Sequence, residues 1–451
     1  MIKRNVVLMG VCPTFPTLVH SKEINESDNV TLLFSQGLMH YFGKGVPVNK
    51  ERAFGFFEAA AIGEHTEAQH NLGYMYFHGE FVNVDVSQAA DWFFKAAQKG
   101  YAPSQYNLAI VLDCFESCLS ARTLDDIKQR TERTAFHWYL KAAEQGCKES
   151  QYVVGRMLDF GEGIEEDKKG AIKWYRKAAE QGNAVAQYTL GALYDYGIGI
   201  STNQHKALGW YHQAAKQGHV DAIYGIGMIY HSNREDFREA FKWIYKAAEL
   251  GLDEAQYDVA RMLTYGIGTQ ENRQQAFVWY LKAADQGHLA AQFYVGSAFD
   301  FGQGIPVNKA TAYQWYKKAA KGGYAKAQFH LGSMYEVGDG TSVNKEKALE
   351  WYLKAAEQGL PDAQYNLGLM FEEGSGVVVQ SKPEALAWFT AAAEQGHADS
   401  QYVLGTIYAS DKNNPLNAHI AQMWYRDAAV QGHQNAIDAL MQSQEKPPVV
   451  H

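Results

Sequence analysis

The stretch "AIKWYRKAAEQGNAVAQYTLGALYDYGIG", from Ala171 to Gly199, decides the fold. Two apolar segments, over residues 171–180 and 184–196, are each followed by glycine, at Gly182 and in the "GIG" of 197–199. Glycine adopts the left-handed backbone turn that ends many helices. The stretch therefore predicts two short helices separated by a tight turn.

We call the helix over residues 184–196 helix A and the helix over 171–180 helix B; within one repeat, helix A comes first. Helix A has one apolar face. Gln187, Leu190, Gly191 and Tyr194 fall at i, i+3, i+4 and i+7, which is the spacing of one helical face. A glycine in an exposed helix costs about 1 kcal/mol relative to alanine. Gly191 therefore indicates the close approach of another helix.

The same phrase recurs along the chain. The glycine that closes "KAAEQG" or a variant of it stands at Gly63, Gly100, Gly146, Gly182, Gly218, Gly251, Gly287, Gly323, Gly359, Gly396 and Gly432. The period is near 36 residues. Such a period predicts stacked helix pairs, because one pair alone cannot bury its apolar face.

Boundaries follow from this period. We predict an all-α solenoid of eleven antiparallel helix pairs over residues 28–432, with an insertion at 114–134. Residues 433–443 are predicted to form a C-terminal capping helix, and 444–451 a disordered tail. Residues 1–27 carry no repeat pattern and stay unassigned.

The tryptophans also follow the period. All ten occupy one position of helix B: Trp92, Trp138, Trp174, Trp210, Trp243, Trp279, Trp315, Trp351, Trp388 and Trp424. A tryptophan used for binding is usually single, whereas a set in register indicates packing. We therefore expect each ring to fill the gap between its own helix pair and the next.

Composition excludes several classes of protein. The net charge of −9 disfavours nucleic acid binding, which needs a basic face. No apolar run approaches the roughly 18 residues of a membrane span. The apolar run after Lys3 and Arg4 is short for a signal peptide, so a cytoplasmic location is expected. Export without a cleaved signal stays open as an alternative.

Residues for catalysis or metal binding are not evident. The sequence lacks HExxH, GxSxG and GxxxxGK motifs. Four histidines share the position after the closing glycine and are expected to be structural: His219, His288, His397 and His433. Cys114 and Cys118 are four residues apart and are expected to be free thiols. The sequence therefore predicts no catalytic residue, cofactor or metal site.

The "LGxxY" of 190–194, the "GxG" loop, the "AxxWY" of 171–175 and the closing "KAAEQG" resemble the Sel-one-like repeat (SLR) family. This family is related to the tetratricopeptide repeats. The resemblance implies a right-handed superhelix and a non-catalytic role as a scaffold or adaptor that binds a protein or peptide. Some relatives are immunity proteins against secreted toxins, and others are proposed to act on cell walls or β-lactams. Those enzyme-like members carry paired cysteines in each repeat, which this chain lacks.

The relationship to tetratricopeptide repeats also suggests where a partner binds. If helix A lines the inner curve, the three positions one residue after its buried face line the groove. The first is mostly aromatic, the second varies and the third is often acidic. Candidate binding residues are Tyr152, Arg156, Asp159, Tyr188, Asp195, Tyr257, Arg261, Asp300, Glu336 and Glu372.

Such a groove suits a partner with basic and apolar side chains. The alternative is that the tyrosines pack between repeats and the acids belong to a solvated helix end.

Overall fold

The computed structural model describes residues 29–114, 135–233, 236–374, 377–410 and 415–444. Every regular element in these ranges is an α-helix, as the sequence predicts. The chain divides after Ile229 into two compact units. The predicted segment 1–27, the insertion after Cys114 and the tail after Gln444 lie outside the described residues.

The helices follow one another in pairs, A then B. The earlier ones are α1 (Asn29–Phe42), α2 (Lys50–Ile62), α3 (Thr66–His78), α4 (Val86–Gln98), α5 (Ala102–Cys114), α6 (135–144), α7 (Lys148–Phe160), α8 (Lys168–Glu180), α9 (Ala184–Tyr196), α10 (Gln204–Lys216) and α11 (Val220–Ser232). The later ones are α12 (Phe237–Glu249), α13 (Asp253–Tyr265), α14 (Arg273–Asp285), α15 (Leu289–Phe301), α16 (Lys309–Lys321), α17 (Ala325–Val337), α18 (Lys345–Glu357), α19 (Pro361–Glu373), α20 (Lys382–Glu394), α21 (Ala398–Ser410), α22 (Pro415–Val430) and α23 (Gln434–Gln444).

Local signals account for the helix ends. Helix α9 has the predicted bounds, and Gly197 ends it with a left-handed φ of 72°. Helix α8 begins at Lys168, three residues earlier than predicted, because the Asp167 side chain accepts a hydrogen bond from the Gly170 N–H at 2.9 Å. An acceptor at this position satisfies a backbone donor that the first turn of a helix leaves free.

The helix glycine lies under an aromatic ring of the partner helix. A Cβ atom on Gly191 would stand 2.4 Å from Cδ1 of Tyr211, and one on Gly332 would stand 2.8 Å from Cδ1 of Tyr352. Real Cβ atoms do not approach other atoms so closely. The close approach predicted from Gly191 is thus confirmed, and its partner is the tyrosine that follows the tryptophan in helix B.

The burial of the aromatic rings corrects the tryptophan prediction, because the fully buried ring belongs to the next residue in the sequence. Of the ten tryptophans, only Trp138 and Trp279 are buried, while the others are half-buried. Tyr316, next to the half-buried Trp315, is fully buried. The Lys318 ammonium lies 3.9 Å from the Trp315 ring centre, so one ring face is covered by a long cationic side chain.

Helix A is also buried slightly differently from the prediction. Gln187, Leu190 and Gly191 are buried, but Tyr194 is half-buried and Leu193 takes its place in the core.

In most repeats a buried glutamine links the repeat to the one before it. In α17, the Gln328 side chain donates from Nε2 to the Ala320 carbonyl at the end of α16, at 3.2 Å. Its Oε1 accepts from Nε2 of Gln358, at the end of α18, at 2.7 Å. The same two bonds recur around Gln151, Gln187, Gln256, Gln364 and Gln401. Apolar stacking has little directional preference, so these bonds fix the register between repeats.

Three repeats depart from this pattern. In α11 the glutamine position holds Ile223, and in two other repeats the buried glutamine is present but its donor is not. Lys99 and Gly322 stand where the donor glutamine stands in the others. In those repeats Oε1 of Gln69 and of Gln292 are the acceptors left without a hydrogen-bond partner among the described residues.

The first prediction concerns the buried ring. Changing Tyr316 to alanine should lower the free energy of unfolding by about 3–5 kcal/mol, because a fully buried aromatic is lost. Changing Trp315 to alanine should cost less, because that ring is already partly in water. Thermal and urea unfolding followed by circular dichroism measure both. A larger loss of unfolding free energy from Trp315→Ala than from Tyr316→Ala would contradict the assignment of Tyr316 as the more deeply buried ring.

The second prediction concerns the glutamine bonds. Changing Gln328 to alanine removes two hydrogen bonds, whereas the same change at Gln292 removes one. A buried hydrogen bond contributes about 1 kcal/mol, so the Gln328 change should destabilise the chain by about that much more. The matched measurement is the difference between the two unfolding free energies. Equal losses would show that the bond from Gln358 contributes nothing.

Candidate functional site

The aromatic first position of the predicted groove serves packing. Tyr152, Tyr188 and Tyr257 are half-buried against the buried tyrosine of the following helix B. Ring centres lie 5.7 Å apart for Tyr152 and Tyr175, and 5.8 Å apart for Tyr188 and Tyr211. Contacts of this length between tilted rings are stabilising in themselves.

Histidine covers the other side of these tyrosines. The Tyr188 ring stacks on His219, and the Tyr257 ring stacks on His288, with centres 4.7 and 4.5 Å apart. Nδ1 of His288 accepts a hydrogen bond from the Ala291 N–H at 3.1 Å, so the imidazole caps the next helix. The histidines after the closing glycine are helix caps, and the recurrence of the tyrosines needs no partner to explain it.

The variable second position carries two arginines with different surroundings. The Arg156 guanidinium lies 3.1 Å from a Glu162 carboxylate oxygen and 3.9 Å from one of Asp113. Arg261 lies 3.7 Å from an Asp258 oxygen, one turn earlier on its own helix. Its guanidinium also stands over the Tyr257 ring at 5.9 Å.

The acidic third position is largely used inside the repeat. Asp300 accepts a hydrogen bond from the Tyr316 hydroxyl at 3.1 Å and pairs with the Lys309 ammonium at 2.6 Å. Asp159 does the same with Tyr175, at 3.2 Å, and Lys168, at 3.0 Å. These carboxylates therefore have less capacity for a partner than their charge suggests.

The other three acids differ in exposure. The Glu336 residue is exposed, and one of its carboxylate oxygens accepts from the Tyr352 hydroxyl at 2.7 Å. Burial raises the pKa of Asp195, against the opposing effect of a hydrogen bond with Tyr211. Glu372 is exposed, and Phe389 stands where the tyrosine would be.

The acid at this position largely follows the residue type on helix B. Where helix B carries the buried tyrosine, an acid usually stands sixteen residues earlier. Where phenylalanine replaces it at Phe57 and Phe93, Tyr41 and Phe77 stand at that place, whereas the repeat of Phe389 keeps the acid Glu372. This pairing is readable from the sequence when repeats are compared two positions at a time. Comparison of single positions misses it.

Exposed apolar residues stand one residue after the acidic position in three consecutive repeats. Tyr265, Phe301 and Val337 are the last residues of α13, α15 and α17, and they are 63%, 60% and 67% exposed. We call these three residues the apolar row. Phe160 and Tyr196 hold the same position in the first unit and are also exposed. The sequence signal is an aromatic or aliphatic residue directly before the "GxG" loop.

Metal-binding and membrane-spanning features can be checked in the part of the chain that is described. There, no three histidine, cysteine or acidic side chains are grouped so as to hold a metal ion. Nor is any helix there long and apolar enough to cross a membrane. Neither Cys114 nor Cys147 forms a disulfide within the described residues, and the Cys147 thiol lies 3.7 Å from a carboxylate oxygen of Glu149.

Comparison with protein families gives one match, to the Sel1 repeat. It covers eleven consecutive segments: residues 36–65, 66–101, 102–147, 148–183, 184–219, 220–252, 253–288, 289–324, 325–360, 361–397 and 398–433. A search of curated protein sequences finds no match.

Solved structures give the same result. A protective antigen of uropathogenic Escherichia coli strains that displays an SLR fold is 32% identical, with a TM-score of 0.72. That match covers 87% of this chain and 82% of the antigen. A Sel1 repeat protein from Oxalobacter formigenes is 29% identical over 70% of this chain and 89% of its own, with a TM-score of 0.54.

A more distant structure is an immunity protein from Pseudomonas aeruginosa. It is 21% identical over 51% of this chain and 89% of its own, with a TM-score of 0.32, and it supports no argument about function. The eleven matched segments and the SLR-fold relative establish that this chain belongs to the Sel1 repeat family.

Proposed function

We propose that this chain is a non-catalytic scaffold that binds an extended segment of a protein partner. The segment carries apolar side chains for the apolar row and basic side chains for the exposed carboxylates beside it. Glu336 directly precedes Val337 of the row, and Glu372 holds the equivalent place in the next repeat.

The apolar row is the observation that carries this proposal. Packing accounts for the tyrosines of the first position and for most acids of the third, but it does not require Tyr265, Phe301 and Val337 to be apolar. Single exposed apolar residues are common on protein surfaces, whereas a set in register over three consecutive repeats marks an interaction surface. Aromatic side chains give a large contact area for little loss of side-chain entropy.

A peptide selection tests the proposal. The whole chain is immobilised and used to select from a phage-displayed library of random dodecapeptides, and the enriched peptides are then synthesised. Apolar residues together with lysine or arginine should be enriched, and binding measured by fluorescence anisotropy should weaken as salt is raised.

Matched variants locate the binding surface. Serine at all three positions of the apolar row should weaken binding at least about tenfold, because each contact removes apolar area from water. Serine at Val278, Met423 and Val430, which are also at least half exposed but lie on B helices, should leave binding unchanged. Both variants should keep the parent's melting temperature.

Equal loss in the two variants, or none in either, would reject the apolar row as the binding surface. Turnover of a chromogenic β-lactam above background by the purified chain would contradict the non-catalytic assignment.

A further inference from the structure

The first helix exposes a face that later A helices bury. Leu32 and Met39 of α1 stand five residues before and two residues after Gly37, the helix glycine of the first pair. They are seven residues apart, so they lie on one side of the helix. Leu32 is 47% exposed and Met39 is 40% exposed. Two large apolar side chains are therefore open to water on the same face of α1.

The same two positions are buried in the A helices that follow. The position of Leu32 holds a fully buried alanine or serine: Ala68, Ser104, Ser150, Ala186, Ala222, Ala255, Ala291, Ala327, Ala363 and Ser400. The position of Met39 is also buried from α3 to α19: Met75, Val111, Met157, Leu193, Ile229, Met262, Ala298, Met334 and Met370. Exposure at these positions is thus a property of the first helix and not of the repeat.

The cover over this face comes from the preceding B helix. Ala68 and Met75 of α3 belong to one core cluster with Ala61 of α2, whereas the buried Phe93 of α4 belongs to another cluster. Gln69, beside Ala68, donates a hydrogen bond to the Ala61 carbonyl at 3.2 Å. Each later A helix is therefore covered by the chain segment directly before it. Among the described residues, no segment precedes α1.

A second copy of the chain does not supply the same cover. The last described helix, α23, is an A helix, so copies stacked end to end would bring an A helix to α1 and not a B helix. Nor does α1 carry a lysine, arginine, aspartate or glutamate that would give a partner a charged contact. The face suits an apolar segment that is already close to it.

The 28 residues before α1 contain such a segment. The run "VVLMGV" covers residues 6–11, and residues 12–28 connect it to α1. That connection can span up to about 60 Å, whereas a helix of 14 residues is about 21 Å long, so the run can reach any part of the exposed face. Residues 1–28 contain no tryptophan, tyrosine or alanine, so they do not provide the B helix of a further repeat.

We propose that residues 6–11 of this chain pack on Leu32 and Met39 of α1 and cap the first end of the repeat array. The run removes the apolar face from water, as a B helix does at each later repeat. Arrays of stacked repeats need a cap at each end, because an open stacking face promotes association between copies. This inference concerns the first unit and is independent of the apolar row, which lies in the second.

Disulfide trapping tests the contact, because Cys12 directly follows the run. Two full chains are compared, Met39→Cys and Val48→Cys, each with serine at the three other cysteines. Val48 is 61% exposed and follows α1 in the same repeat, so it controls for the effect of the short tether. In oxidised glutathione, Cys12 should bond to the new thiol at position 39 at least about tenfold faster than to the one at position 48. A disulfide needs its Cβ atoms about 4 Å apart, and only a packed segment holds them there.

Changes within the segment make the matched comparison. Serine at residues 7–9 removes apolar contacts, so it should slow the bond in the Met39→Cys chain to the rate of the Val48→Cys chain. Serine at Lys22 and Glu23, in the same segment, should leave the faster rate unchanged. Peptide mass spectrometry identifies each disulfide, and circular dichroism checks that each chain is folded. Leu32→Cys provides a second probe on the same face and should behave as Met39→Cys does.

Three results would overturn the inference. Equal rates at positions 39 and 48 would show that the segment is tethered nearby but not packed on the face. A rate at position 39 that serine at residues 7–9 leaves unchanged would show that the apolar run is not the occupant. A disulfide that joins position 39 of two chains would show that a second copy covers the face. The proposed function would stand in each of these cases.

Discussion

The contact between a glycine of helix A and an aromatic ring of helix B sets the geometry of most repeats. Because Gly191 has no side chain, the Tyr211 ring reaches a place that a Cβ atom would occupy. A ring held there directs its hydroxyl across the helix pair, where the acid sixteen residues earlier accepts its proton, as Asp300 does from Tyr316. The lysine that opens helix B then pairs with that acid. In the repeats that have this glycine, one steric constraint therefore places these polar groups together.

A second constraint joins the repeats. The ring and glycine belong to one helix pair, so they cannot set the register between pairs. The buried glutamines do this, because each bonds to the end of the preceding B helix and to the end of its own. Orphaned oxygens occur on Gln69 and Gln292, in the two repeats whose donor position holds Lys99 or Gly322. That agreement between sequence and hydrogen bonding supports the assignment of the buried glutamines as the residues that fix the register between repeats.

The sequence predicted the helix pairs well and the side-chain roles less well. The period and the glycine turns fix where helices end, and α9 has its predicted bounds. Recurrence of tryptophan at the position of Trp315 in ten of the eleven repeats indicated packing but could not show that Tyr316, beside it, is the deeper ring. The assignment of the acids to a groove likewise rested on their recurrence alone. A position that recurs is under constraint, and only its covariation with a second position, as of Asp300 with Tyr316, reveals which contact imposes it.

Differences between repeats therefore carry more information about binding than their shared residues do. Shared residues such as Tyr188, Asp159 and Gln328 are engaged in holding helices together, and changing them alters the fold before it alters any partner. Positions that the fold does not fix are different, because their residue types can change without cost to the packing of the helices. Tyr265, Phe301 and Val337 occupy such a position: they differ in type, and all three are exposed and apolar. The proposed partner is what would keep them apolar.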